Sequence, residues 1–188
     1  LAYSKKAQGI AIINQNNWGL EASFYENKNS TAYVLENDEV CLIAIRGSNR
    51  EFGDWFDDNF DAEWKKRPYG NIHKGFYDHF MRLHDKLLPH ALSAHEGGKK
   101  LWVTGHSLGG AASLVGMMEW PEELKITGLF TFGQPRPAHK KTVRKINEKL
   151  GEIYQLFVNN RDLVTRVPPK FFGFYHAGNL TRFDKHGE

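Results

Sequence analysis

Residues 101–115 read L-W-V-T-G-H-S-L-G-G-A-A-S-L-V, and this stretch decides the fold. Leu101-Trp102-Val103 is a short apolar run, Ala111 to Val115 a run that favours helix, and between them Gly105, Ser107 and Gly109 stand in the spacing G-x-S-x-G. A strand that enters a tight turn and leaves as a helix is the context in which this spacing makes a nucleophile elbow. The serine on such a turn takes a strained backbone conformation. Glycines two residues before and after it remove side chains that would collide with the adjoining strand and helix. The helix begins beneath the serine, so its first N–H groups face an oxyanion formed above it. A glycine-rich β–α turn with an incidental serine is the plainer reading. The strand and helix on either side favour Ser107 as a nucleophile.

A serine hydroxyl is a weak nucleophile without a base, and the base needs an acid to orient it. In α/β-hydrolases the chain order is serine, acid, histidine. Of nine histidines only His139, His176 and His186 follow Ser107. His186 stands two residues from the end of the chain, where fraying is common. His139 opens an expected helix (138–150) among lysines and reads as a solvated face. His176, in F-F-G-F-Y-H-A-G-N, has apolar residues before it and a small-residue turn after it, and is selected as the base. The acid is sought at a strand end between the two, because catalytic groups in open α/β sheets gather at the carboxyl ends of strands. Ile153 to Val158 is a buried-strand run, and Asn159-Asn160-Arg161-Asp162 turns away from it, which makes Asp162 the acid. Glu119, Glu122, Glu123, Glu148 and Glu152 fall at the opposite edge of the sheet.

The chain resembles the class 3 lipases, the small α/β-hydrolases that include the triacylglycerol lipases of filamentous fungi. The matching stretches are I-A-I-R-G-S (43–48), H-K-G-F (73–76), T-G-H-S-L-G-G-A (104–111), T-F-G-Q-P-R (131–136), N-x-R-D-L-V (159–164) and H-A-G (176–178). The resemblance implies the same triad of Ser107, Asp162 and His176. It also implies an oxyanion hole made by Ser48 and Leu108. Ser48 follows the strand expected at 40–46, where the chain turns toward the elbow, and one such donor is typically worth about 3 kcal/mol of barrier.

The segment at about 49–64 is expected to be a lid. Its aromatics fall at 52, 55, 56, 60 and 64, one stripe of a helix, and Glu51, Asp54, Asp57, Asp58, Asp61 and Glu63 fill the other side. Phe52, Trp55, Phe56 and Phe60 would cover a hydrophobic cleft when it is closed, with Trp55 at the mouth of the Ser107 site. A permanently docked amphipathic helix fits the pattern as well. The acids predict that neutral or zwitterionic lipid activates better than anionic lipid at low salt.

With 188 residues the chain is read as one domain, a compact α/β-hydrolase with a central, mostly parallel sheet, helices on both faces and a short helical lid. Helices are expected at 2–16, 76–96, 107–118 and 138–150. Strands are expected at 22–26, 31–36, 40–46, 100–104, 125–132 and 153–158. A net charge of +3, from 25 basic and 22 acidic residues, excludes an electrostatic case for nucleic acid. No apolar run reaches the roughly 20 residues that span a bilayer. Cys41 is the one cysteine and sits in an apolar strand, so no internal disulfide forms. The five histidines from His73 to His95 recur every five or six residues, the wrong spacing for zinc on a helix, and no metal or cofactor is expected. Phe171, Phe172, Phe174 and Tyr175 pack beneath the histidine loop or form an acyl-binding wall. The chain starts at Leu1, so a removed leader or a truncation stays open. The sequon at Asn179 would crowd the site, so a secreted or a cytoplasmic setting of bacterial type both fit. The expected activity is that of a serine carboxylic-ester hydrolase, a lipase acting on lipid or small ester substrates as a monomer, with transient contact to a lipid–water interface. An acyltransferase or feruloyl esterase on the same triad, and a non-catalytic lipid-binding protein, are the alternatives.

Overall fold

Short apolar strands of period two build the centre of the molecule. In the computed structural model, which describes residues 6–47 and 63–186, β3 (Val40–Ile45) buries Cys41, Ile43 and Ile45 on one face. On the same face β6 (Lys100–His106) buries Leu101 and Val103, and β9 (Tyr154–Asn159) buries Tyr154, Leu156 and Val158. With β1 (Glu21–Asn27), β2 (Ser30–Glu36), β7 (Gly128–Phe132) and β11 (Asn179–Phe183) they form a seven-stranded sheet in the order β1-β2-β3-β6-β7-β9-β11. The first three strands run antiparallel to one another, and β3, β6, β7, β9 and β11 run parallel. The expected strand at 125–132 starts only at Gly128, and β11 had not been anticipated.

The buried face is covered by two helices. α2 (Lys74–Glu96) turns Phe76, Phe80, Leu83, Leu87, Ala91 and Ala94 inward, a spacing of three and four that keeps them on one side. α3 (Leu108–Glu119) is built of small residues and buries Gly109 through Met117. A methyl on Gly116 would overlap the ring of Phe80, so a missing side chain sets how closely the two helices approach. On the opposite face α1 (Lys6–Asn16) places Ile13 against Tyr33 and Leu35. Farther along that face Trp102, Phe130, Phe157 and Phe183 form a half-buried stacked row running from β6 to β11.

A second, four-stranded sheet had no counterpart in the expected elements. Its order is β10 (Phe174–Tyr175), β8 (Ala138–His139), β5 (Gly70–His73) and β4 (Trp64–Arg67), all antiparallel. From β8 the chain enters α4 (Lys140–Leu150), with the His139 ring accepting from the Lys141 N–H at 3.3 Å. His139, read from sequence as a solvated face, is therefore an N-cap. Arg67 ties this sheet to the end of α3 through two hydrogen bonds to the Glu119 carboxylate, at 2.9 and 2.6 Å, and the Tyr69 hydroxyl donates to the same carboxylate. Among the described residues no helix is long and apolar enough to cross a membrane.

Candidate active site

The parallel strands end along one edge, and Ser107 and Asp162 lie just beyond the ends of β6 and β9. After β6 the backbone of Ser107 stands at φ 54 and ψ −128, a region that L-residues other than glycine seldom occupy. Its N–H donates to the Phe132 carbonyl at 2.9 Å, and its carbonyl accepts from Gly110 at 3.0 Å. The glycines around it are there for space. A Cβ on Gly105 would lie 2.5 Å from the Gly109 carbonyl carbon, and a Cβ on Gly109 would overlap the Ile45 carbonyl oxygen at the end of β3. Gly47, just past β3, presses on the elbow from the other side: a Cβ there would be 2.8 Å from the His106 carbonyl oxygen and 3.5 Å from the Ser107 Cβ. Leu108 opens α3, where the first N–H groups of a helix have no partner inside it. Ser48, and the lid residues Phe52, Trp55, Phe56 and Phe60, lie outside the described residues.

Asp162 stands in the turn after β9, as expected. Its N–H donates to Asn159, and one carboxylate oxygen accepts from Val164 N–H at 2.9 Å, which fixes the side chain. The other oxygen faces Gly133, at the end of β7, which has φ +57. A Cβ on Gly133 would be 2.7 Å from that oxygen and 3.4 Å from His106 Nε2. The carboxylate and the His106 imidazole therefore flank one glycine. Burial lowers the pKa of His106 and the Asp162 charge raises it, with burial the larger effect. Excluding histidines before Ser107 on grounds of chain order hid this neighbour, although it is the first x of G-x-S-x-G.

His176 is held elsewhere. Its Nε2 donates to the Thr165 carbonyl at 2.8 Å, and the Thr165 hydroxyl donates to the Asp162 carbonyl. A carbonyl only accepts, so Nε2 carries the proton and Nδ1 the lone pair of the neutral ring. Among the described residues that buried Nδ1 has no hydrogen-bond partner. Burial pushes the imidazole down to about 4, the Thr165 contact opposes this, and Arg136, Lys170 and Arg182 push it further down. Among the described residues no hydrogen bond joins Ser107, Asp162 and His176. The structure thus brings Ser107 and Asp162 to the same sheet edge and pins His176 to the loop that leads from Asp162. Of the four aromatics around it, Phe174 is buried and stacks on Trp64 at 3.8 Å, whereas Phe171 and Phe172 are exposed. No three His, Cys, Asp or Glu side chains among the described residues are grouped to hold a metal ion.

The chain is similar to known proteins over most of its length. The family model for lipase (class 3) matches residues 42–172, which includes the elbow and Asp162 and stops short of His176. A lipase of Rhizopus niveus is 33% identical over 160 residues, covering 79% of this chain and 40% of that protein. A lipase of Rhizomucor miehei is 32% identical over 152 residues, covering 76% and 41%. The chain thus spans about 40% of the length of these relatives. Among solved structures, the Rhizomucor miehei triacylglyceride lipase superposes with a TM-score of 0.83 at 26% identity, over 98% of this chain and 76% of that one. A triacylglycerol lipase whose catalytic centre is described as a serine protease triad superposes at 0.77 with 29% identity, over 87% and 66%.

Proposed function

Because the chain belongs to the class 3 lipase family, we propose that it hydrolyses carboxylic esters of lipids through an acyl-enzyme formed on Ser107. The observation that carries this is the strained Ser107 at the start of α3, with Gly47 of the neighbouring strand end pressed against it. Attack of the serine oxygen on an ester carbonyl creates an oxyanion, and the Leu108 N–H together with Ser48 would receive it. The leaving alcohol takes the proton that the base removed from Ser107, and water then releases the fatty acid. Asp162, fixed by Val164, would orient and stabilise the imidazolium formed in each half-reaction. Similarity to acylglycerol lipases supports lipid esters as the substrate class.

His176 is our candidate for the base, on one condition that the geometry sets. Its ring has to leave the Thr165 carbonyl and turn its lone pair toward Ser107, because an imidazolium among Arg136, Lys170 and Arg182 is poorly stabilised where it now lies. Hydrolysis of a chain-length series of nitrophenyl esters, run beside an emulsified triglyceride, tests the proposal. Ser107→Ala is expected to lower kcat/KM by about a thousandfold or more while the protein still melts cooperatively. Near-parental rates in that variant would remove the proposal. His176→Ala decides the second point. A loss equal to that of Ser107→Ala assigns the base to His176, and a retained rate with a lowered Tm makes it a loop pin and moves the base elsewhere.

A further inference from the structure

The surface between Asp162 and His176 carries three features that ester hydrolysis does not use. Phe171 is 82% exposed and Phe172 53% exposed, their rings 4.3 Å apart on a short 3-10 turn. The next residue, Gly173, has the Trp64 ring and the His139 ring each 3.5 Å from the place a Cβ would occupy, and Trp64 is itself 37% exposed. His139 is followed directly by Lys140 and Lys141, and Phe171 is preceded by Lys170, all three lysines exposed. Trp64 from β4 and Phe171 and Phe172 from the turn before β10 therefore come together around Gly173, three exposed aromatic rings with three exposed lysines next to them or to His139 in the chain. The nearest acid in sequence, Glu63, is paired with Lys74 at 3.0 Å.

Exposed aromatics are costly in water, and rings flanked by lysine are suited to the boundary between acyl chains and anionic headgroups. The rings enter the acyl boundary, while lysine stems lie along it and their ammonium groups reach the phosphates. We infer that Trp64, Phe171 and Phe172, with Lys140, Lys141 and Lys170, form an anchoring surface for lipid interfaces bearing anionic headgroups. The inference rests on the lipid-ester reading, since Lys170, Phe171 and Phe172 lie on the same loop as Asp162 and would bring that end of the sheet to the substrate phase. It reverses the preference that the acids of 51–63 suggested from sequence.

Co-sedimentation with phosphatidylcholine vesicles, alone or with about a third phosphatidylglycerol, tests the surface directly. The chain is expected to bind the anionic vesicles more tightly, and less so at high salt. At low salt, Lys140→Glu with Lys141→Glu should weaken that binding tenfold or more, since one basic residue near such a surface is worth about fivefold. Phe171→Ser with Phe172→Ser should weaken it at every salt concentration. All four substitutions are at exposed positions, and Lys140→Glu with Lys141→Glu should leave hydrolysis of a soluble nitrophenyl ester unchanged. Equal binding to neutral and anionic vesicles, or variants that bind like the parent, would overturn the anchor. Selective binding by a chain that hydrolyses no soluble ester would leave the anchor standing and remove the functional proposal instead.

Discussion

Ser107 keeps its unusual backbone only because its neighbours leave no alternative. Gly109 packs its α-carbon onto the end of β3, so Gly109→Ala must push the Ile45 and Arg46 carbonyls away. Overpacking of this kind costs about 3 kcal/mol, which lowers Tm by roughly 6–12 °C in a chain of this size. The same displacement would move α3 away from the oxyanion position, so ester hydrolysis should fall by more than the loss of folded protein explains. A thermal melt paired with an initial-rate assay checks both, and an unchanged Tm would mean that the strand end gives way freely. At this scale the sequence was informative wherever sterics dictate residue type. G-x-S-x-G announces the elbow because only glycine fits at its flanks, and the N-N-R-D turn after an apolar strand announces Asp162. His106 escaped notice because its role depends on β7 and β9 lying side by side, and its position in the motif says nothing of that. His176 was selected by chain order, a rule about sequence that is silent on where the ring points.

At the level of elements, legibility followed length and periodicity. Strands β3, β6 and β9 have apolar alternation or runs, and α2 and α4 have clear amphipathic spacing, so their positions were anticipated to within a few residues. The four-stranded second sheet was not anticipated, since two of its strands have two residues each and β4 reads W-K-K-R. Such strands are specified by what they meet. The Arg67–Glu119 pair, Trp64 on Phe174 and the His139 cap hold the sheet together, and none of these is visible in a local pattern. The basic run Lys65-Lys66-Arg67 closely follows the acids of 51–63 in sequence. For Arg67 the partner is Glu119, 52 residues away. The expected helix over 49–64 lies outside the described residues except at its end, where Trp64 already belongs to β4.

The whole molecule has a marked acid sensitivity built into its core. Burial holds His73 and His79 down to about 4, as it does His176, whereas the same side chains in an unfolded chain protonate near 6.5. The unfolded state therefore binds more protons throughout that interval, and stability present above pH 6.5 is lost as pH falls toward 4. Tm should be level from about pH 8 to 7 and decline between about 6.5 and 5, before most carboxylates protonate. A Tm that holds steady down to about pH 5 would show that these imidazoles find charged-state partners on protonation. The proposed function depends on one sheet edge carrying the ends of β3, β6, β7 and β9 together, so that Ser107 stands strained at the start of α3. Labelling the folded chain with a fluorophosphonate and mapping the adduct by mass spectrometry tests that claim most directly. A single adduct on the peptide containing Ser107, absent from Ser107→Ala, is expected. A folded chain that takes up no label, or takes it up on another residue, would contradict it.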